Sequence, residues 1–236
     1  MTIETIVNTH LAAWEGWNDL GYDARIAILR RWSERLPPAS RAMVEYHCQQ
    51  AVVQVARVHL MPGPTGETNE LYCAGRGTFV VTAAPQIPAV AVIGQITAAL
   101  VTGNTVLLCL PAGTEAAQAN AVDADDIVAQ LTLCGCSAIS AIPDDALDVV
   151  LALPVVAGVA YAGEAPSLQE LARQLAARDG GCLAAVIGET DVATLPVIGS
   201  PTYLLRFVTE RTRTINITAV GGNATLLELG SGETSA

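Results

Sequence analysis

The sequence predicts an α/β domain on a doubly wound parallel sheet, with a helical segment before it and a β-strand arm after it. Three observations carry that expectation. Beyond Met61, short apolar runs alternate with Ala-rich helical stretches. Hydrophobic residues make up 51% of the 236-residue chain and aromatics only 4%, so the core is Ala, Val, Leu and Ile, as in sheets covered on both faces. Residues 1–60 hold every Trp and every His and differ in character from the remainder.

The elements follow in order. A first helix is predicted from about Thr2 to Asp19. Asp23 is placed as the N-cap of a second, in which Ile26, Leu29, Trp32 and Leu36 form a helical stripe until Pro37-Pro38 stops it. Ser40 is read as the cap of a third helix ending near Leu60. "MPGPTGETNEL", Met61 to Leu71, reads as a turn-rich connector. "GTFVVTA" is a strand, and "QIPAVAVIGQITAALVTG" a helix closing on Gly103 at the C′ position. "NTVLLCL" is the next strand, and "TEAAQANAVDADDIVAQLTLCG" is helical, in two pieces around Asp123. "SAISAI", "ALDVVLAL" and "AGVAYAG" are strand candidates. A helix from about Ser167 to Arg178 and the strand "CLAAVIG" complete the alternation, which is that of a Rossmann-like sheet.

The tail is patterned differently. In "ERTRTINITAVGGNATLLELG", Thr212, Thr214, Asn216 and Thr218 share one strand face, and Arg211, Arg213, Ile215 and Ile217 the other. Gly221, Gly222 and Asn223 form a corner that tolerates positive φ, and Thr225 opens the run beyond it. A pair of strands rich in β-branched residues and short of Lys is open to pairing: it completes this domain's own sheet or reaches another protein. The chain thus divides into a helical segment (1–60), an α/β domain (61–208) and an arm (209–236).

Charge and motifs narrow the function. The net charge of −11, from 23 Asp and Glu against 12 Lys and Arg, argues against nucleic acid and anionic membrane surfaces as partners. The apolar runs are broken by Pro and Gly and too short to span a bilayer, and no basic, apolar leader opens the chain, so a cytoplasmic protein is expected. The six cysteines, Cys48, Cys73, Cys109, Cys134, Cys136 and Cys182, then read as buried thiols in a reducing compartment.

The first strand–helix junction, "TAAPQIPA", lacks the GxGxxG spacing that cradles phosphate, and no GxxxxGK[ST] exists. His10, His47 and His59 have no partner at ligand spacing. Cys134-Gly135-Cys136 sits at a helix end, where the dipole disfavours a thiolate. Asp125-Asp126 and Asp144-Asp145 lack a basic partner in sequence. No catalytic residue and no metal ligand are expected.

Two segments resemble the aldehyde dehydrogenase superfamily. "GQITAALVTGNTVLLCLPAGTE", Gly94 to Glu115, is similar to its Ala-rich helix, Gly-Asn-Thr turn and strand. "LPVVAGVAYAGEAPSLQELARQLAARDGG", Leu153 to Gly181, is similar to the strand–turn–helix that carries Phe-Thr-Gly-Ser. "MPGPTGETNEL…GRG" and "ERTRTINITAVGGNATLLELG" resemble the opening and closing motifs of the C-terminal domain in longer forms of proline utilization A, a bacterial protein that oxidises proline to glutamate with two catalytic modules. The resemblance runs from about Met61 to Gly230. It implies a Rossmann-like fold of the aldehyde dehydrogenase type, without catalysis, whose terminal strand motif helps close the tunnel for pyrroline-5-carboxylate.

Residues that active members use are replaced here. Cys109-Leu110-Pro111-Ala112 stands where they carry Lys-Pro-x-Glu, so the ribose-binding cation is gone. Glu164 stands at the hydroxyl of Phe-Thr-Gly-Ser. A carboxylate about 4 Å from a diphosphate charge costs roughly 4 kcal/mol at an effective dielectric of 20, nearly three decades of affinity. Glu189 lies outside a Glu-Leu-Gly-Gly context, and no cysteine stands in a Gly-Gln-x-Cys setting. The resemblance therefore implies no bound cofactor, with NAD as the alternative, and a vestigial cleft near Gly103, Gly163 and Glu164. It implies a homo-oligomer, or a complex with a proline-catabolic dehydrogenase, made through the C-terminal strands.

Overall fold

The computed structural model describes residues 3–85, 87–111, 123–179 and 184–216. Its centre is a five-stranded, wholly parallel sheet of β3 (Thr78–Ala83), β4 (Thr105–Cys109), β5 (Ile139–Ala141), β6 (Val156–Ala162) and β7 (Ala185–Glu189), in the order β5-β4-β3-β6-β7. The order reverses between β3 and β6, which makes it doubly wound. Helices α4 (Ala89–Val101) and α5 (Ala124–Leu133) are the crossovers on one side of β3. Helices α6 (Leu147–Leu151) and α7 (Ala165–Ala176) are those on the other. Strands β3 and β4 are buried along their whole length, which is why their sequences are nearly unbroken apolar runs.

Successive side chains go to opposite faces. Val80, Leu107, Val159 and Tyr161 pack with Val150, Leu171 and Leu175, while Phe79, Val81, Val106, Leu108 and Ala160 meet the α4–α5 layer. The N-terminal helices join both layers. From α1 (Ile3–Asp19), Ile6 and Val7 enter the first cluster and Trp17 the second. Helices α2 (Gly21–Ser33) and α3 (Pro38–Gln54) add Ile26, Leu29, Trp32, Val44, Cys48 and Ala51 to the second cluster. Helix α4 is thereby enclosed, and every residue from Ala91 to Val101 is buried, in keeping with a sequence that is apolar apart from Gln95 and Thr97. Gly94 permits the close approach, since a Cβ there would stand 2.7 Å from Ile198 Cγ2 and 3.1 Å from Met43 Cγ.

A second, antiparallel sheet has the order β1-β2-β8, from β1 (His59–Met61), β2 (Glu67–Gly75) and β8 (Val208–Asn216). All nine residues of β2 pair with β8, from Glu67 opposite Asn216 to Gly75 opposite Val208.

Several sequence expectations change. Asp23 lies in the first turn of α2, behind an N-cap at Leu20, and Ser40 is buried in the first turn of α3, which starts on Pro38. Helix α3 ends at Gln54, and His59–Met61 is a strand. The connector of the sequence reading contains most of β2; its strand character comes from pairing with the distant β8. "ALDVVLAL" is not a strand: it opens on the last residue of a short 3₁₀ turn and forms α6.

The two sheets meet at a buried polar junction. Asn104 Oδ1 accepts the Arg76 and Gly77 N–H groups at 2.7 and 3.0 Å. Its Nδ2 donates to Ala99 O, Thr102 Oγ1 and Phe207 O at 3.2, 2.8 and 2.9 Å. Beside it the buried Arg25 donates to Val101 O at the end of α4, and to Trp17 O and Asn18 O at the end of α1. A cation is favoured at the negative end of a helix, and here it serves two such ends. The Asn104→Ala variant is expected to lose about 3–5 kcal/mol of stability in urea unfolding, because five bonds vanish and their buried partners stay behind. A loss under about 1 kcal/mol contradicts this.

Candidate functional site

Ligands of doubly wound sheets bind beyond the carboxyl ends of the strands, where the strand order reverses. Here that point lies between Ala83 of β3 and Ala162 of β6, which face one another in register. The chain ends there are stitched together: the Ala84 N–H donates to Ala162 O at 2.8 Å and the Gly163 N–H to Glu189 O at 2.9 Å. Gly163, at φ +155°, is needed for close approach. A Cβ on it would collide with the Tyr161 hydroxyl and stand 2.7 Å from Ala84 Cβ.

The helix termini facing this point are poor anion sites. Helix α7 starts behind Glu164, an exposed N-cap with extended backbone (φ −77°, ψ 147°) and no side-chain cap bond. Its carboxylate supplies negative charge where the helix dipole would otherwise attract a phosphate. Pro166 removes a donor from the first turn, and Pro88, the N-cap of α4, removes one across the crevice.

Neighbouring strand ends carry no replacement. Cys109 is buried, its thiol 3.8 Å from Pro143 O and 4.0 Å from Asp144 Oδ1. Burial, reinforced by Asp144 and Asp145, pushes it up to about 12, so it stays a thiol. Glu189 at the end of β7 is also buried. Its carboxylate accepts the N–H groups of Asp191, Val197 and Ile198 at 3.1, 2.7 and 3.0 Å, which fixes the loop that follows. That structural use of Glu189 was not legible in sequence, because its partners are backbone groups.

Of the predicted cleft residues, the structure brings Gly163 and Glu164 to the switch point. Gly103 is at the opposite end of the sheet, just before β4, with φ +91°. A Cβ on Gly103 would stand 2.5 Å from Asn18 Oδ1, and one on Gly75 2.5 Å from Gly103 O. It serves the Asn104 junction, a strand's length from any cleft. Ala112 and Cys182 lie outside the described residues.

The remaining candidates are structural. Cys134 and Cys136 are buried at the end of α5 around Gly135 (φ +93°), and burial pushes Cys136 up to about 12. Arg31 donates to Cys134 O at 2.7 Å. Asp125 and Asp126 occupy the first turn of α5, capped by Asp123, and Asp144 and Asp145 form the 3₁₀ turn. His10 Nε2 lies 2.9 Å from Ser140 Oγ, His47 is buried against Tyr203 with ring centroids 5.6 Å apart, and His59 is exposed on β1. Among the described residues no group of three or more His, Cys, Asp or Glu could hold a metal ion, and no helix is long and apolar enough to cross a membrane.

The arm begins inside this chain. Thr214 Oγ1 donates to Asn69 Oδ1 at 2.5 Å, and Asn216 faces Glu67. On the other face Arg213 pairs with Glu70, and the Arg211 guanidinium lies 5.6 Å from the centre of the Trp14 ring. Among the described residues no strand pairs with the outer edge of β8, and Thr209–Asn216 is mostly exposed. Thr218, Gly221, Gly222, Asn223 and Thr225 lie outside the described residues.

No protein-family model and no curated protein matches the chain. Among solved structures it resembles a proline utilization A with proline bound in remote sites, at a TM-score of 0.68 and 26% identity over 79% of this chain and 22% of that one. A variant of the Bradyrhizobium japonicum proline utilization A gives the same values. The γ-glutamyl-γ-aminobutyraldehyde dehydrogenase of Burkholderia cenocepacia, at TM-score 0.60 and 15% identity over 77% of this chain and 41% of that one, shares the fold. The chain spans about a fifth of the proline utilization A structures.

Burial lowers both His10 and His47 from 6.5 to about 4, so each is neutral when folded and charges more readily when unfolded. Their contribution is therefore complete above pH 6.5 and is lost as pH falls toward 4. Urea titrations across that range are expected to show stability falling by about 2–3 kcal/mol per histidine. The fall should be about half as steep in His47→Gln; an unchanged profile in that variant contradicts the assignment.

Proposed function

We propose that this aldehyde dehydrogenase-like domain, related to proline utilization A, is a non-catalytic assembly module. It acts through its C-terminal strands, on a second copy of itself or on a pyrroline-5-carboxylate dehydrogenase whose active site or tunnel the arm covers. The observation that carries the reading is the switch point. Glu164 occupies the N-cap of α7, Pro166 and Pro88 delete donors, and Ala84 and Tyr161 crowd Gly163. The residues present do not fit a dinucleotide diphosphate. Glu189, the acid nearest to a general base in chain position, spends its oxygens on three backbone N–H groups.

The small sheet supports the second half of the reading. It projects β8 with an outer edge that no described strand covers, and an open edge pairs readily with other chains. A cytoplasmic location agrees with the buried, unpaired thiols of Cys48, Cys109, Cys134 and Cys136.

Deleting Asn216 to Ala236 is expected to abolish association, read as native mass alone and with a pyrroline-5-carboxylate dehydrogenase, while the circular dichroism of the α/β core persists. Unchanged oligomer mass defeats the proposal. Calorimetry with NAD⁺ and NADH is expected to show no binding. A dissociation constant below about 100 μM, near −5.5 kcal/mol, would instead favour the alternative of a residual NAD-dependent dehydrogenase.

A further inference from the structure

One face of the small sheet is defined residue by residue. Paired residues of neighbouring strands share a face, and so do alternate residues of one strand. Arg211 stands opposite Tyr72, Arg213 opposite Glu70, and Ile215 follows on the same face. All three β8 residues are exposed, Ile215 by 43%, so this face looks to solvent.

The two guanidiniums on it are both held by rings but are not equally paired. Arg213 lies 5.7 Å from the centre of the Tyr72 ring, and its Nε and Nη2 both donate to Glu70 Oε2. Arg211 lies against the Trp14 ring and forms no ion pair among the described residues. An aromatic ring orients a guanidinium without neutralising it. A cation so held meets a carboxylate at low ordering cost.

Spacing narrows the partner. Arg211 and Arg213 are two residues apart, about 6.8 Å along an extended strand, which is the repeat of alternate side chains in any strand laid beside it. The outer edge of β8 has no strand partner among the described residues. A strand added there with acidic residues at two alternate positions would set one carboxylate opposite each guanidinium, and an apolar residue two places on would meet Ile215. A second copy of β8, added about a two-fold axis through Thr212 normal to the sheet, would instead set Arg211 against Arg213. Like charges there work against self-pairing. We propose that this face of β8 selects an acidic extended segment of another protein, whose carboxylates at alternate positions are read by Arg211 and Arg213. The inference rests on the assembly reading and names the chemistry of its partner.

Fluorescence anisotropy with the full chain tests it, using labelled Thr-Val-Glu-Val-Glu-Val-Thr and its counterparts with Gln or Lys in place of both Glu. The Glu peptide is expected to bind at least about fivefold more tightly than the Gln peptide, with a preference that shrinks as salt rises. Arg211→Gln with Arg213→Gln should erase the preference. Arg211→Glu with Arg213→Glu should transfer it to the Lys peptide, a gain that also shows the variant to be folded. Equal or absent binding of the Glu and Gln peptides overturns the proposal, and so does a preference that survives the double Gln variant. Tighter binding of an oligothymidylate assigns the guanidiniums to phosphate and overturns it too. The assembly reading is judged by native mass after deletion of Asn216 to Ala236, which leaves both arginines in place, so the two can fail separately.

Discussion

The side chain of Asn104 is the constraint on which the two-sheet arrangement rests. Its acceptor oxygen holds the turn between β2 and β3, and its donor nitrogen holds the end of α4 and the carbonyl of Phe207 just before β8. One buried amide thus joins the parallel sheet, its first crossover helix and both long strands of the antiparallel sheet. A buried amide left partly unpaired would cost more than it gains, so the network persists only with all three segments in place. The close contact of Gly75 with the Gly103 carbonyl is part of the same joint, as is the Arg25 guanidinium across two helix ends.

At the other end of the sheet, the same elementary forces shape the start of α7. A helix N-terminus attracts anions because its first N–H groups lack partners and its dipole is positive there. In α7 the Glu164 carboxylate faces the positive end of the dipole without capping a donor, and Pro166 removes one of the donors. At the switch point of this aldehyde dehydrogenase-like fold Ala84 and Tyr161 stand so close to Gly163 that no Cβ fits there. The small sheet leaves the outer edge of β8 without a strand partner among the described residues.

The core strands could be read from sequence because burial on both faces leaves a plain apolar run, as in "TFVV" and "VLLC". Helix α7 was visible for the opposite reason, its strong division into apolar and polar sides. Strand β2 was hidden, since it is half-buried along most of its length and gains its strand character from a partner far down the chain. Apolar run "ALDVVLAL" carried no period to separate helix from strand. At the candidate site, Gly163 and Glu164 were legible as a turn entering a helix. Gly103 was misplaced because motif order along a chain does not tell which end of a strand a glycine occupies.

The pairing of β2 with β8 also orders events in time. Residues 76–207 must leave the ribosome before β2 can find its partner, on the order of ten seconds at typical rates of synthesis. During that interval the parallel sheet can close while β2 waits with an open margin. The antiparallel sheet is the last seam to be sewn, so its completion reports that everything between has already emerged.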